Sequence, residues 1–179
     1  MSEKVVLDFW FGQLSSEQHF KKDPKLDEDI TKKFKTLHEQ AVRCELFKWR
    51  KTAGGILAEI ILIDQFSRNM YREQPQSFAY DGLALCLAQM AIEKGVDKNM
   101  SPQFKSFLYM PYMHSESQII HEEAIKLFNQ KGLEYNLEYE IKHKNIIDRF
   151  GRYPHRNAIL GRPSTEEELE FLKDPAHSF

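Results

Sequence analysis

Residues 54–70 read GGILAEIILIDQFSRNM, and this stretch decides the fold. Gly54 and Gly55 interrupt the chain behind Trp49. Beyond them Ile56, Leu57, Ile60, Ile61, Ile63 and Phe66 spread apolar side chains around most of a helical circumference. Such a helix has no face polar enough for a surface position, so it is predicted at the centre with other helices around it. Working outward, the spacing stays helical. On the N-terminal side Ile30, Phe34, Leu37, Ala41 and Leu46 trace one stripe behind Asp27, which is placed to cap it. Earlier still, Val5, Val6, Phe9 and Trp10 form a short segment that Gly12 ends. On the C-terminal side Pro75 and Ser77 open a helix through Leu83, Leu87 and Met90 to Gly95. Ser101-Pro102 starts a segment that ends before Pro111. A longer helix follows Ser115 with Ile119, Ile120, Ala124, Leu127 and Phe128 inward, and another covers Tyr135–Phe150 up to Gly151. Ser164-x-x-Glu167 has the form of a capping box ahead of a last helix carrying Leu169 and Leu172. No alternating run with hairpin chemistry occurs. The expected fold is all-α, in a single domain over residues 1–179.

Composition narrows the function. Hydrophobic residues make up 41% and charged residues 29%, a balance that supports a packed core, and 13 phenylalanines supply ample apolar volume. Twenty-five Lys and Arg against 27 Asp and Glu leave a formal charge of −2, without the basic excess on which nucleic-acid binding depends. No apolar run approaches the roughly 20 residues of a bilayer span. Met1-Ser2-Glu3-Lys4 does not lead into a secretion signal, so a cytoplasmic location is expected. Cys44 and Cys86 lack a CxxC partner and are expected as reduced core residues.

Three polar constellations stand against this apolar background. In Asp64-Gln65-Phe66-Ser67-Arg68-Asn69, the acid and the arginine lie one helical turn apart on an otherwise apolar helix. Buried there, they would need partners: a structural ion pair tying two helices together, or a ligand. In Pro111-Tyr112-Met113-His114-Ser115-Glu116-Ser117-Gln118, Ser115 and Gln118 fit a capping box with Glu116 near the helix dipole. His114 is then left just outside, as a structural residue or as a general acid–base with an ordinary pKa of about 6.5. The third, Gly151–Pro163 (GRYPHRNAILGRP), cannot be helical throughout because of Gly151, Pro154 and Pro163. Between Lys142 and Arg162 the chain carries Lys142, Lys144, Arg149, Arg152, Arg156 and Arg162 against Asp148 alone. Either this is an anion site, or the arginines pair with Glu166-Glu167-Glu168 and Glu170 downstream.

A metal site has no support from spacing. His114 and His121 are seven residues apart, about 10.5 Å along a helix, where ligand pairs usually sit three or four apart. No Gly-rich phosphate loop, GxSxG elbow or dinucleotide fingerprint is present, and no cofactor is expected. One internal echo joins Leu62–Arg68 to Ile146–Arg152 through the frame apolar-Ile-Asp-x-Phe-x-Arg. A duplicated helical hairpin would leave such a trace, as would chance.

Together these motifs resemble the domain of unknown function 924 family, mostly bacterial proteins placed among TPR-like helical folds. The resemblance runs from Val6-Leu7-Asp8-Phe9-Trp10-Phe11-Gly12 through Gly55-x-Leu57-Ala58, Asp64-Gln65-Phe66-x-Arg68-Asn69 and Pro111–Glu116. It closes with Arg149–Asn157 and Leu160-Gly161-Arg162. Ser67 stands where the family usually has proline, and His121 where glutamine is common. The resemblance implies a TPR-like bundle, or a short α-solenoid of stacked antiparallel helix pairs, and carries no activity.

The expected function is a polar pocket for a small anionic molecule. Arg68, Arg152 and Arg156 would clamp the anion, and Asp64, Asn69 and Asn157 would complete the binding set. His114 and His155, oriented by Glu116 or Asp64, would perform metal-independent hydrolysis or other acid–base chemistry. The alternatives are a TPR-like scaffold that binds a peptide without catalysis, and a structural polar network with no ligand. Convergence of the three constellations on one hollow decides among them.

Overall fold

The computed structural model describes residues 2–174, and the regular elements among them are all helical. In chain order they are α1 (Glu3–Leu7), α2 (Pro24–Val42), α3 (Ala53–Met70), α4 (Asp81–Glu93), α5 (Pro102–Met113), α6 (Gln118–Phe128), α7 (Glu134–Phe150) and α8 (Glu166–Phe171). Short 3₁₀ turns connect several of them. None of these helices is long and apolar enough to cross a membrane.

Helix α3 is the axis of the bundle, as its composition predicts. From Gly55 through Ser67 every residue is buried. Thr52 starts the helix by accepting the Gly55 N–H on its hydroxyl at 3.0 Å. Its one charged residue in the first half, Glu59, is neutralised by a two-pronged bond from Arg50 at 2.7 and 2.8 Å. Helices α1, α2, α4 and α5 all pack on α3, and α6 and α7 extend the stack in chain order. After α1 the backbone widens into a π-helical turn, Asp8–Gln13. That turn buries Phe9 and Trp10 against Phe34 and Phe66, with ring centroids 5.0 to 6.2 Å apart. A separate small core of Ile146, Ile147 and Tyr153, flanked by Phe150 and Phe171, holds the C-terminal segment.

Several boundaries differ from the sequence expectation, each for a local reason. Helix α2 is capped by Asp23, with Pro24 at its first position; Asp27 lies inside the helix and binds Arg72 and Asn69. Helix α5 continues through Pro111 because Tyr112 and Met113 are buried beyond it, and the proline forfeits only the one bond its nitrogen cannot donate. Ser115 caps a turn rather than α6, accepting the Ser117 N–H, and α6 begins at Gln118. The C-terminal capping box is shifted by one residue to Thr165 and Glu168. Cys44 and Cys86 are exposed, not core, and Ile119 and Leu169 also face outward. The two copies of the internal echo are both helical up to the phenylalanine and then differ: Arg68 lies within α3, whereas Arg152 follows the left-handed Gly151 that ends α7.

Candidate functional site

Asp64 sits at full burial near the C-terminal end of α3. An unpaired carboxylate there would be strongly disfavoured, and its oxygens are accordingly engaged. They accept hydrogen bonds from the Gln65 side-chain amide, from Arg68 at 3.3 Å and from His114 Nδ1 at 2.7 Å. Arg68, one turn further on, also grips Asp81 with two bonds of 3.0 Å. Asp81 is the first residue of α4, and it accepts a further bond from Arg156 at 3.2 Å. Arg156 in turn donates to the backbone carbonyl of His114 at 3.0 Å. The contacts therefore close into a ring: Asp64, Arg68, Asp81, Arg156, His114 and back to Asp64. All three constellations contribute to it.

The turn carrying His114 is held from behind with unusual completeness. The Met113 carbonyl accepts from the Tyr153 hydroxyl at 2.5 Å, the His114 carbonyl from Arg156, and the Ser115 carbonyl from His121 Nε2 at 2.8 Å. The Glu116 carboxylate takes the Tyr153 N–H at 2.8 Å and two bonds from Arg162 at 2.6 and 3.0 Å. The guanidinium of Arg156 packs against the rings of Phe78 and Tyr153, 4.6 Å from each centroid. Behind Tyr153, His121 Nδ1 meets the fully buried Glu140 at 2.6 Å. Side chains in place on so many sides leave the turn little freedom.

In front of the ring lies a cavity of about 300 Å³. Asp81, His114, Glu116 and Arg156 form its polar side; Phe78, Leu85, Pro111 and Leu160 supply apolar wall. Burial, followed by the nearby charge of Arg68, holds the His114 imidazole below its usual pKa of 6.5, against the pull of Asp64. Burial by itself would raise Asp64, but His114, once protonated at acid pH, and Arg68 outweigh it and keep the carboxyl well below the usual range. At neutral pH this leaves an ionised Asp64 receiving the Nδ1 proton of a neutral imidazole. Nε2 is then the unprotonated nitrogen. It has no hydrogen-bond partner among the described residues, and the ring borders the cavity.

Of the residues the sequence assigns to a site, Asp64, Arg68, His114 and Arg156 thus come together. The others do not join them. Asn69 donates to Asp27 at 2.8 Å, beside Arg72. Arg152 is bound to Glu168 by two bonds of 2.6 and 2.8 Å and to the Pro163 carbonyl, so it clamps the C-terminal segment and not an anion. Asn157 belongs to that same lock, through Ser164, Glu168 and Arg162. Glu116 reaches the cavity wall but orients the Tyr153 amide and Arg162, not an imidazole. His155 is held neutral, with burial pushing its pKa down to about 4, and is not among the cavity residues. Its Nδ1 is buried without a partner. The three-arginine clamp is therefore not assembled: Arg68 and Arg152 are committed to acids, and Arg156 has both terminal nitrogens engaged.

Sequence reasoning missed Asp81 and Phe78, which lie in the unremarkable run Phe78-Ala79-Tyr80-Asp81, and gave no role to Glu140. No local signal marked Asp81: the expected helix opened at Pro75 and Ser77 and left it inside, whereas Pro75–Ser77 forms a separate 3₁₀ turn and α4 begins at Asp81. Among the described residues, no group of three or more His, Cys, Asp or Glu side chains is arranged to hold a metal ion.

Comparison with known proteins places this geometry in a wider set. A family model described as a bacterial protein of unknown function, DUF924, matches residues 6–176. The solved structure of a protein of unknown function from Agrobacterium tumefaciens is similar at 36% identity and a TM-score of 0.90, over 96% of each chain. No curated protein matches.

Proposed function

The chain belongs to the DUF924 family of bacterial proteins, and from that premise we propose that the cavity at Asp81, His114 and Arg156 binds a small molecule on which His114 acts as a metal-independent general base. The observation that carries this reading is the division of labour between the two nitrogens of one imidazole. Asp64 holds Nδ1, which fixes the tautomer and would stabilise the imidazolium once Nε2 had taken a proton. The ring borders the cavity, and Nε2 has no partner among the described residues. His38 and His155 also keep a ring nitrogen without a partner; what sets His114 apart is that its ring lines the cavity. The many contacts behind Met113–Glu116 support the same reading, since a catalytic group must be held in place by its surroundings. Action in the cytoplasm is part of the proposal.

Diethyl pyrocarbonate, which acylates unprotonated imidazole nitrogen, tests the base without knowledge of a substrate. Mapped by mass spectrometry on the native chain, His114 is expected to react readily at pH 7. Its rate should fall with acidification along a limb centred below pH 6.5, since the pKa is lowered. A His114 that resists the reagent in the native state and reacts only after unfolding would end the reading.

The peptide-scaffold alternative draws on a second opening, an open cleft of about 570 Å³ walled by Leu7, Phe11 and Phe104. The His114 cavity is preferred because it alone joins a basic nitrogen to a braced turn.

A further inference from the structure

We infer that the molecule taken by this cavity has an apolar body and a hydrogen-bond-donating head, a hydroxyl or an amine, and that an anionic head is rejected. The inference rests on the reading of the cavity as a small-molecule site, and it names the class of ligand. The charged groups on the cavity wall are two carboxylates, Asp81 and Glu116, and one guanidinium, Arg156. Arg68 and Arg162, which balance those carboxylates, stand behind them and are not part of the wall. The wall therefore carries more negative than positive formal charge.

Arg156 cannot compensate. Its terminal nitrogens donate to Asp81 and to the His114 carbonyl, its Nε is buried without a partner, and the rings of Phe78 and Tyr153 pack against it. A carboxylate or phosphate would therefore shed its water without gaining a free cation, and a desolvated charge without a partner is heavily penalised. A donor fares differently. His114 Nε2 offers a lone pair, and the wall carboxylates favour positive over negative charge. Ser115 adds a hydroxyl whose oxygen already accepts the Ser117 N–H.

The body of the ligand follows from the remaining wall. Phe78, Leu85, Pro111 and Leu160 present carbon, and the volume of about 300 Å³ exceeds the roughly 150 Å³ known to admit a benzene ring. A single ring with one polar substituent therefore fits both surfaces.

Benzyl alcohol, benzylamine and benzoate share a body and differ only at the head, so they isolate the inference. Saturation-transfer NMR on the full chain at pH 7.5 is expected to detect the alcohol, the amine or both, with benzoate at least tenfold weaker. Binding by either donor alone supports the inference and identifies the head. Gly82→Leu locates the signal: Gly82 lines the cavity, and a Cβ there meets nothing within 4 Å, so a larger side chain can be introduced at the cavity wall. Loss of binding in this variant is the supporting result. Benzoate binding as tightly as the donors would overturn the inference while leaving the cavity a ligand site. Absence of binding by all three probes, or binding that Gly82→Leu leaves intact, would overturn the inference together with the assignment of this cavity.

Discussion

Tyr153 concentrates in one side chain much of what holds His114. Its ring packs under the Arg156 guanidinium, its hydroxyl donates to the Met113 carbonyl, and the same oxygen lies 3.2 Å from His121 Nε2. Tyr153→Phe keeps the ring and removes the hydroxyl, leaving a buried carbonyl short of its donor. The expected loss is about 1–3 kcal/mol, read as a lower urea midpoint with an unchanged slope. At this scale the sequence was informative where chemistry was conspicuous against its surroundings. An acid on a greasy helix, as Asp64 is, has to find partners, and His114 and Arg156 stand out in the same way. It was uninformative about pairing. Arg152 and Arg156 lie four residues apart in one loop, yet one turns to Glu168 and the other to Asp81. Nothing in the local pattern separates them, because the choice depends on where α4 and α8 end up.

Among the glycines, Gly55 at the junction into α3 has the closest surroundings. A Cβ on Gly55 would lie 2.0 Å from the Trp49 carbonyl oxygen, a backbone atom that cannot step aside. Gly55→Ala is expected to destabilise the protein by several kcal/mol or to prevent folding. Gly82→Ala, in open space on α4, should raise stability by about 0.4–1 kcal/mol through the unfolded state. Thermal unfolding of the pair measures the contrast, and equal effects would refute it. The helices themselves were legible because burial imposes their period. Their ends were less so, because cap residues are interchangeable over a few positions. Ser164…Glu167 and Thr165…Glu168 both satisfy one capping pattern, and the contacts of Glu168 with Arg152 and Asn157 select the second. Asp27 was a sound cap candidate until Arg72 and Asn69, from α3 and the turn after it, claimed its carboxylate.

For the molecule as a whole, acid sensitivity comes from histidines enclosed as neutral rings. Burial depresses His38 and His155 to about 4 and His143 to about 3. Unfolded, each would titrate near 6.5, so below that pH the unfolded chain binds protons that the folded chain refuses. Stability present above pH 6.5 should therefore fall as the pH drops toward 4, at about 1.4 kcal/mol per unit of depression for each ring. Glu168 acts in a later window. Its bond to Arg152 holds it at about 2, so its contribution is retained until the pH falls below about 4.5. Melting temperatures at pH 7.5, 5.5 and 4 should decline across the whole series, and a flat profile between 7.5 and 5 would contradict the assignment. The closed circuit of Asp64, Arg68, Asp81, Arg156 and His114 has a consequence of another kind. A hoop has no end from which to unravel, and exchanging any of its side chains other than His114, whose main-chain carbonyl holds Arg156, strands two neighbours. Segments as remote along the chain as α3 and the loop after α7 are thus tied to a common fate, and any lasting change in one has to be answered by the others.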